Sequence, residues 1–189
     1  MLELYTISKT GDSGQLETIK GFFPKIDTVY TNTFFGEGLK NNLIKVIPPD
    51  IGDRFVDFYA SDLQGKSHQI SDYTDKFILL DFWSMACLPC VLAAPALREL
   101  SDNYINKLVV IGINLDSRKN FWEEATKRDS ITWVNLSDGK GENAGAGHLY
   151  QINAVPTYIL IDPQGIIVER WMGYKSGIFK EKLSKYFIQ

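Results

Sequence analysis

The sequence predicts an α/β domain: a mixed central β-sheet flanked by helices on both faces, preceded by an N-terminal extension. Three observations predict it. FILLDFW (77–83) and KLVVIGINLD (107–116) are near-continuous apolar runs, the pattern of strands covered on both faces. Each is followed by a segment with helical character, so strand and helix alternate. Finally, TYILIDPQGIIVERW (157–171) holds two strand runs around a turn, which adds an antiparallel pair to the sheet.

Taken in order, residues 1–50 form the extension and 51–189 the domain. Within the extension TGDSG (10–14) reads as a loop, and LKNNLIKVI (39–47) as a short helix or strand ended by Pro48-Pro49. FVDFYASDLQGKSHQI (55–70) is rich in Phe, Val and Tyr around a Gly-Lys turn and reads as a hairpin. After the first apolar strand, CVLAAPALRELSDNY places Leu97, Leu100 and Tyr104 at i, i+3 and i+7, a helix. After the second, SRKNFWEEATKRD has the charged face of a surface helix. Asp162-Pro163-Gln164-Gly165 carries Pro at i+1 and Gly at i+3 of a turn. The closing FKEKLSKYF sets Phe179, Leu183, Tyr186 and Phe187 on one stripe with lysines opposite, a last helix.

With 189 residues, 44% hydrophobic and 13% aromatic, the chain can fill one core with a modest appendage rather than two full domains. Twenty Lys and Arg against 23 Asp and Glu give a net charge of -3 with no long run of either sign, which argues against nucleic acid or an anionic membrane as partner. No stretch approaches 18 uninterrupted apolar residues, so membrane insertion is not expected, and MLELYTISKTGDSG lacks the basic and apolar regions of a secretion signal.

The chain has two cysteines, Cys87 and Cys90, too close in sequence to staple distant parts of a core. They are a redox couple, half of a metal site or a local structural bridge. Cys87 follows a buried strand, and Pro89 suits the first turn of a helix, which puts Cys87 at a helix N-terminus. There the free N–H groups and the helix dipole favour a thiolate, moving its pKa from roughly 8.5 into the range of about 3.5 to 7.5. Cys90 lies one turn in and faces inward. Haem attachment would need His after the second cysteine, where Val91 stands, and zinc would need His68 and His148, which fit no usual ligand spacing. Asp81 sits mid-strand among apolar residues, where burial raises a carboxyl pKa and suits it to carry a proton; a purely structural, hydrogen-bonded aspartate is the rival. Pro156, on local sequence alone, is a strand-start proline.

ILLDFWSMACLPCVLAAPAL resembles the thioredoxin active-site segment, and residues 51–187 are similar to the TlpA/ResA branch of thioredoxin-like thiol-disulfide oxidoreductases, including a helical insertion near 117–129. The resemblance implies a thioredoxin-like fold and a protein thiol-disulfide oxidoreductase that reduces partner disulfides and serves redox homeostasis. Cys87 and Cys90 would cycle between dithiol and disulfide with no other cofactor and no metal, and Asp81 matches the buried aspartate that serves the second cysteine. Val155-Pro156-Thr157, preceded by Tyr150 and Ile152, matches the family's cis-proline loop. In that match Pro156 packs beside the disulfide, the Val155 backbone pairs with substrate, and Trp83 belongs to the contact surface. Pro95 matches a helix-kinking proline and Gly173 a glycine near the active site. The implied partners are protein disulfide or dithiol substrates and an upstream electron donor, met by a monomer. The implied location is the periplasm or another extracytoplasmic space, with the cytoplasm as the alternative.

The chain departs from its relatives at four places. Ala93 replaces a frequent glutamate, Gly112 a lysine near the aspartate, and Ala86 the aromatic residue before the first cysteine, while Leu88 follows it. Asp81 thus lacks its charged neighbours, and the surface around Cys87 is reshaped. Two other activities share this fold. A peroxiredoxin would need a threonine and proline shaped around its cysteine, which FWSMAC lacks, and a Sco-type copper carrier would need a wider cysteine spacing and the reach of His148.

Overall fold

β3 (Phe77–Trp83) is the centre of a five-stranded sheet in the computed structural model, which describes residue 4, residues 13–43 and residues 47–187. It pairs in parallel with β4 (Leu108–Asn114), which pairs in parallel with the edge strand β5 (Val134–Leu136). On its other side it pairs antiparallel with β6 (Thr157–Ile161), followed by β7 (Ile167–Met172), giving the order β5-β4-β3-β6-β7. The mixed sheet is the one expected, with β5 as an additional edge.

The two faces of β3 carry separate cores, because its side chains alternate. Ile78, Leu80 and Phe82 pack with Ile111, Ile113, Leu136, Ile159 and Ile161 on one face. That face is covered by the hairpin of β1 (Tyr59–Ser61) and β2 (Ser67–Gln69), a 3-10 turn (Ile70–Tyr73) and a short helix (Gly145–Leu149). Leu79 packs on the opposite face with Leu108, Val110, Tyr158 and Leu160. Two helices roof that face, the active-site helix (Leu88–Asn103) and the last helix (Ile178–Phe187), the latter through Ile178, Phe179, Leu183 and Phe187. Full burial of Leu97 or Leu183 contributes about 1.5–3 kcal/mol each. The helix expected from SRKNFWEEATKRD spans Lys119–Arg128 and buries Trp122 and Ala125.

The chain divides into two compact units, Met1–Ile47 and Pro48–Gln189. Pro48–Asp53 goes with the sheet because Arg170 donates to the Pro49 carbonyl at 3.2 Å and Gly52 N–H to Ile167 at 2.9 Å. Tyr150 adds a second tie: its hydroxyl donates to the Val56 carbonyl at 2.6 Å and accepts the Val56 N–H at 3.1 Å.

The first unit is helical, with helices at Ser13–Phe22, Thr28–Thr31 and Phe34–Leu43. This corrects one expectation and decides between the alternatives of another. Ser13 and Gly14, assigned to a loop, begin a helix; residues 10–12 lie outside the described residues. In LKNNLIKVI the helix is the outcome for Leu39–Leu43, and residues 44–46 lie outside the described residues. Gly36 lies in this helix because a Cβ there would overlap the Tyr30 and Thr31 backbone, so a residue of low helix propensity is imposed by close packing.

Candidate active site

At the end of β3 the chain turns through Ser84–Ala86 and enters the active-site helix with Cys87 as its N-cap, φ -89° and ψ 97°, and Pro89 in the first turn. The Cys87 sulfur accepts the Cys90 N–H at 3.1 Å, and the Cys87 N–H donates to Ser84 O at 3.2 Å. The two cysteines form a disulfide with their Cα atoms 5.3 Å apart. On reduction the Cys87 sulfur stays at the positive end of a 16-residue helix, with a backbone donor already aimed at it. Both cysteines are only 6% exposed, so the oxidised pair shows no contrast between an open and a shielded sulfur. The cause is packing: Trp83, Trp122 and Ala125 surround the pair, with Met85, Leu63 and Val155 at the edge. Ala86, Leu88 and Leu92 remain exposed around it.

The Val155–Pro156 peptide bond is cis. β6 begins immediately after it, with Thr157 opposite Phe82 of β3, so the sheet register carries this loop to the end of β3 that leads into Cys87. Val155 packs against the cluster that holds the disulfide. The Pro156 carbonyl accepts the Gly173 N–H at 2.8 Å, and Gly173 has φ +82°, a conformation costly for other residues. The structure therefore brings together Cys87, Cys90, Trp83 and Val155, with Pro156 following Val155 in the chain. The active-site helix runs on past Pro95, which is exposed.

Asp81 lies two residues before Trp83 on the same strand face, 3% exposed, between Gly112 of β4 and Tyr158 of β6. Burial pushes its carboxyl pKa up to about 8, and its Oδ1 has no hydrogen-bond partner. The rival reading of a hydrogen-bonded structural aspartate thus lacks a bond to that oxygen. Among the described residues no neighbouring cation offsets this burial, as the Gly112 departure implies.

Sequence reasoning missed the residues that hold the turn before Cys87. Asp116 accepts the Met85 N–H at 2.8 Å and Asn114 Nδ2–H at 2.8 Å, while Arg128 donates to the Met85 carbonyl at 3.0 Å. Arg128 is itself held by Asp129 at 2.7 Å. Asp116 at the end of an apolar strand was the available signal, but its partner lies 31 residues away. Of the two histidines, His68 is engaged by Asp62 and Tyr73, and burial lowers the pKa of His148. Among the described residues no group of three or more His, Cys, Asp or Glu is arranged to hold a metal.

A disulfide capping the helix that follows the central strand of a mixed sheet, with Val155 of a proline loop packed against it, defines a thioredoxin-like thiol-disulfide oxidoreductase. Comparison with known proteins makes the class specific. Residues 51–170 match the AhpC/TSA family model, and the chain belongs to that family. It is 32% identical over 139 residues to the thiol-disulfide oxidoreductase ResA of Geobacillus kaustophilus, covering 73% of each chain. It is 30% identical over 125 residues to the thioredoxin-like protein YneN of Bacillus subtilis, covering 65% of this chain and 71% of that protein. Among solved structures, a thiol-disulfide oxidoreductase from Bacteroides fragilis aligns with TM-score 0.64 and 27% identity, over 70% of this chain and 98% of that one. The thioredoxin domain of a Bacteroides vulgatus thiol-disulfide oxidoreductase aligns with TM-score 0.62 and 26% identity, over 66% and 90%. The protein is a TlpA/ResA-like thiol-disulfide oxidoreductase, and these relatives do not favour the peroxidase or copper-carrier readings.

Proposed function

We propose that the protein reduces disulfides in partner proteins, with Cys87 as attacking nucleophile, Cys90 as resolving thiol and Asp81 as proton acceptor. The carrying observation is the position of Cys87: it caps the helix, is bonded to Cys90 and receives the Cys90 N–H. In the reduced protein the Cys87 thiolate attacks one sulfur of the partner's disulfide, and the other partner sulfur leaves as a thiolate. Cys90 then gives its proton to Asp81 in the ionised form that the carboxyl takes up as pH nears about 8, and attacks the Cys87 sulfur. The Cys87–Cys90 bond forms, the second partner sulfur leaves, and two electrons have passed to the partner. An upstream dithiol protein returns the pair to its reduced form, so the electrons are carried by the cysteines themselves.

Val155 supports substrate binding because it lies at the rim of the disulfide cluster. Trp83 supports it as one of the two tryptophans packed with the cysteines. The similarity to ResA supports an extracytoplasmic site of action and a protein thiol or disulfide as substrate. No helix among the described residues is long and apolar enough to cross a membrane.

Insulin reduction and trapping test the roles. Cys90→Ser is expected to accumulate mixed disulfides through Cys87, and Cys87→Ser to lose activity. Equal activity in the two variants would refute the assignment.

A further inference from the structure

Met85 stands in the turn before Cys87, and charged side chains from two other elements hold both of its backbone polar groups. Its N–H donates to Asp116 Oδ2 at 2.8 Å, and its carbonyl accepts from Arg128 Nη1 at 3.0 Å. The turn itself is closed by a neutral bond from the Cys87 N–H to the Ser84 carbonyl at 3.2 Å. Charge-assisted bonds are roughly twice as strong as neutral ones, so the two side chains, more than the turn's own bond, fix its shape.

Each anchor is fixed in turn. Asp116 Oδ2 also accepts Asn114 Nδ2–H at 2.8 Å, and the Asp116 N–H donates to Asn114 Oδ1 at 3.0 Å. Asn114 is buried at the end of β4, opposite Trp83. Arg128 forks onto Asp129 through Nε and Nη2 at 2.7 and 2.8 Å, which leaves Nη1 for Met85. The carbonyls of Asp129 and Ser130 accept from Arg98 of the active-site helix at 3.0 and 2.7 Å. The C-terminal end of helix Lys119–Arg128 thus grips the chain on both sides of Cys87, through Met85 before it and Arg98 after it. Trp122 of the same helix packs with the disulfide.

We propose that Asp116 and Arg128 are positioning residues for the attack step, holding the backbone of Met85 so that the Cys87 sulfur stays at the helix N-terminus once the disulfide opens. The inference rests on the attacking role of Cys87 given above. In the oxidised protein the bond to Cys90 restrains the sulfur covalently. Reduction removes that restraint, and the turn then decides where the sulfur lies. With Met85 pinned, the sulfur keeps the Cys90 N–H that it accepts at 3.1 Å in the oxidised pair. A turn free to rock carries it off that donor, and the thiolate loses a charge-assisted bond. Charge acting through space predicts the opposite sign at one position. Removing the Asp116 anion alone would favour a thiolate nearby, whereas removing the anchor disfavours it. Asp81 and Asp129 are unchanged in every variant that separates the two accounts.

The test follows Cys87 as the single thiol of a Cys90→Ser background, by stopped-flow reaction with dithiodipyridine from about pH 5 to about pH 10. Asp116→Ala is expected to raise the midpoint of the rate profile by about one pH unit, a tenfold loss of thiolate below it. Because nucleophilicity rises with thiol pKa, the net rate below the midpoint falls about threefold and the plateau above it rises about threefold. Asp116→Asn keeps an acceptor for the Met85 N–H and should not raise the midpoint. Arg128→Met should raise it, and still do so in about 1 M salt, which screens charge acting through space. An unchanged or lowered midpoint in Asp116→Ala overturns the proposal, even where urea denaturation shows a loss of stability. A rise in Asp116→Asn equal to that in Asp116→Ala also overturns it, as does an Arg128→Met shift that vanishes in salt. Should Asp116→Ala not fold, Arg128→Met in salt carries the test. Separately, Cys87→Ser reacting through Cys90 as fast as Cys90→Ser reacts through Cys87 would overturn the attacking role of Cys87 and the proposal with it.

Discussion

Replacing Asp81 by Asn preserves the shape of the side chain and removes its titration, so it isolates what a buried carboxyl costs the fold. Burial holds the folded-state pKa at about 8, against 3.8 in the absence of burial. Below pH 4 the carboxyl is protonated in folded and unfolded chains alike. Between pH 4 and pH 8 the unfolded chain has released its proton while the folded chain keeps it, so stability falls by about 1.4 kcal/mol per pH unit. Integrated over that window the loss is on the order of 5 kcal/mol, comparable with the whole stability of a marginal domain, about 5–15 kcal/mol. Above pH 8 both states are ionised and the loss levels off. Asn introduces its own unpaired amide at a cost of about 1–3 kcal/mol, but that cost is constant with pH. Urea denaturation of the oxidised proteins at pH 5 to pH 9 is therefore expected to show the wild type losing ground to Asp81→Asn steadily up to about pH 8, then holding a constant gap. Parallel stability curves over the whole range would refute a carboxyl kept neutral by burial.

Two further outcomes follow from named contacts. Tyr150→Phe removes both hydrogen bonds to Val56 and should cost about 1–3 kcal/mol in urea denaturation, with insulin reduction unchanged well below the midpoint; a loss under about 0.5 kcal/mol would refute the tie. Leu88 and Leu92 are 68% and 60% exposed, so replacing both by Ser should change stability by no more than about 0.5 kcal/mol while lowering kcat/KM on a protein disulfide about threefold to tenfold; unchanged kcat/KM would place docking elsewhere.

The strands β3, β4, β6 and β7 were legible because each is an apolar run bounded by turn residues. β5 was not: Val-Asn-Leu is three residues long, and only pairing with β4 makes it a strand. The helix of Phe34–Leu43 was ambiguous because Gly36 and Gly38 lower its propensity, and at Gly36 the cause is a packing contact invisible in the sequence. At the site, Cys87, Cys90 and Asp81 could be read from a reactive pair beside a strand and a lone carboxyl within it. The grip of Asp116 and Arg128 on Met85 could not be read. It joins residues 31 and 43 positions apart, and only the fold brings them together.

From Ser84 to Leu97 the chain that carries the disulfide holds no charged side chain, and the charges gripping Met85 are engaged with its backbone or with one another. A partner approaching this rim meets little local electric field to guide it. Its capture rate is then set by random collision and correct orientation, about 10⁵–10⁷ M⁻¹s⁻¹ for unsteered pairs, and changes little with ionic strength. Discrimination between partners falls to how long each stays once in contact.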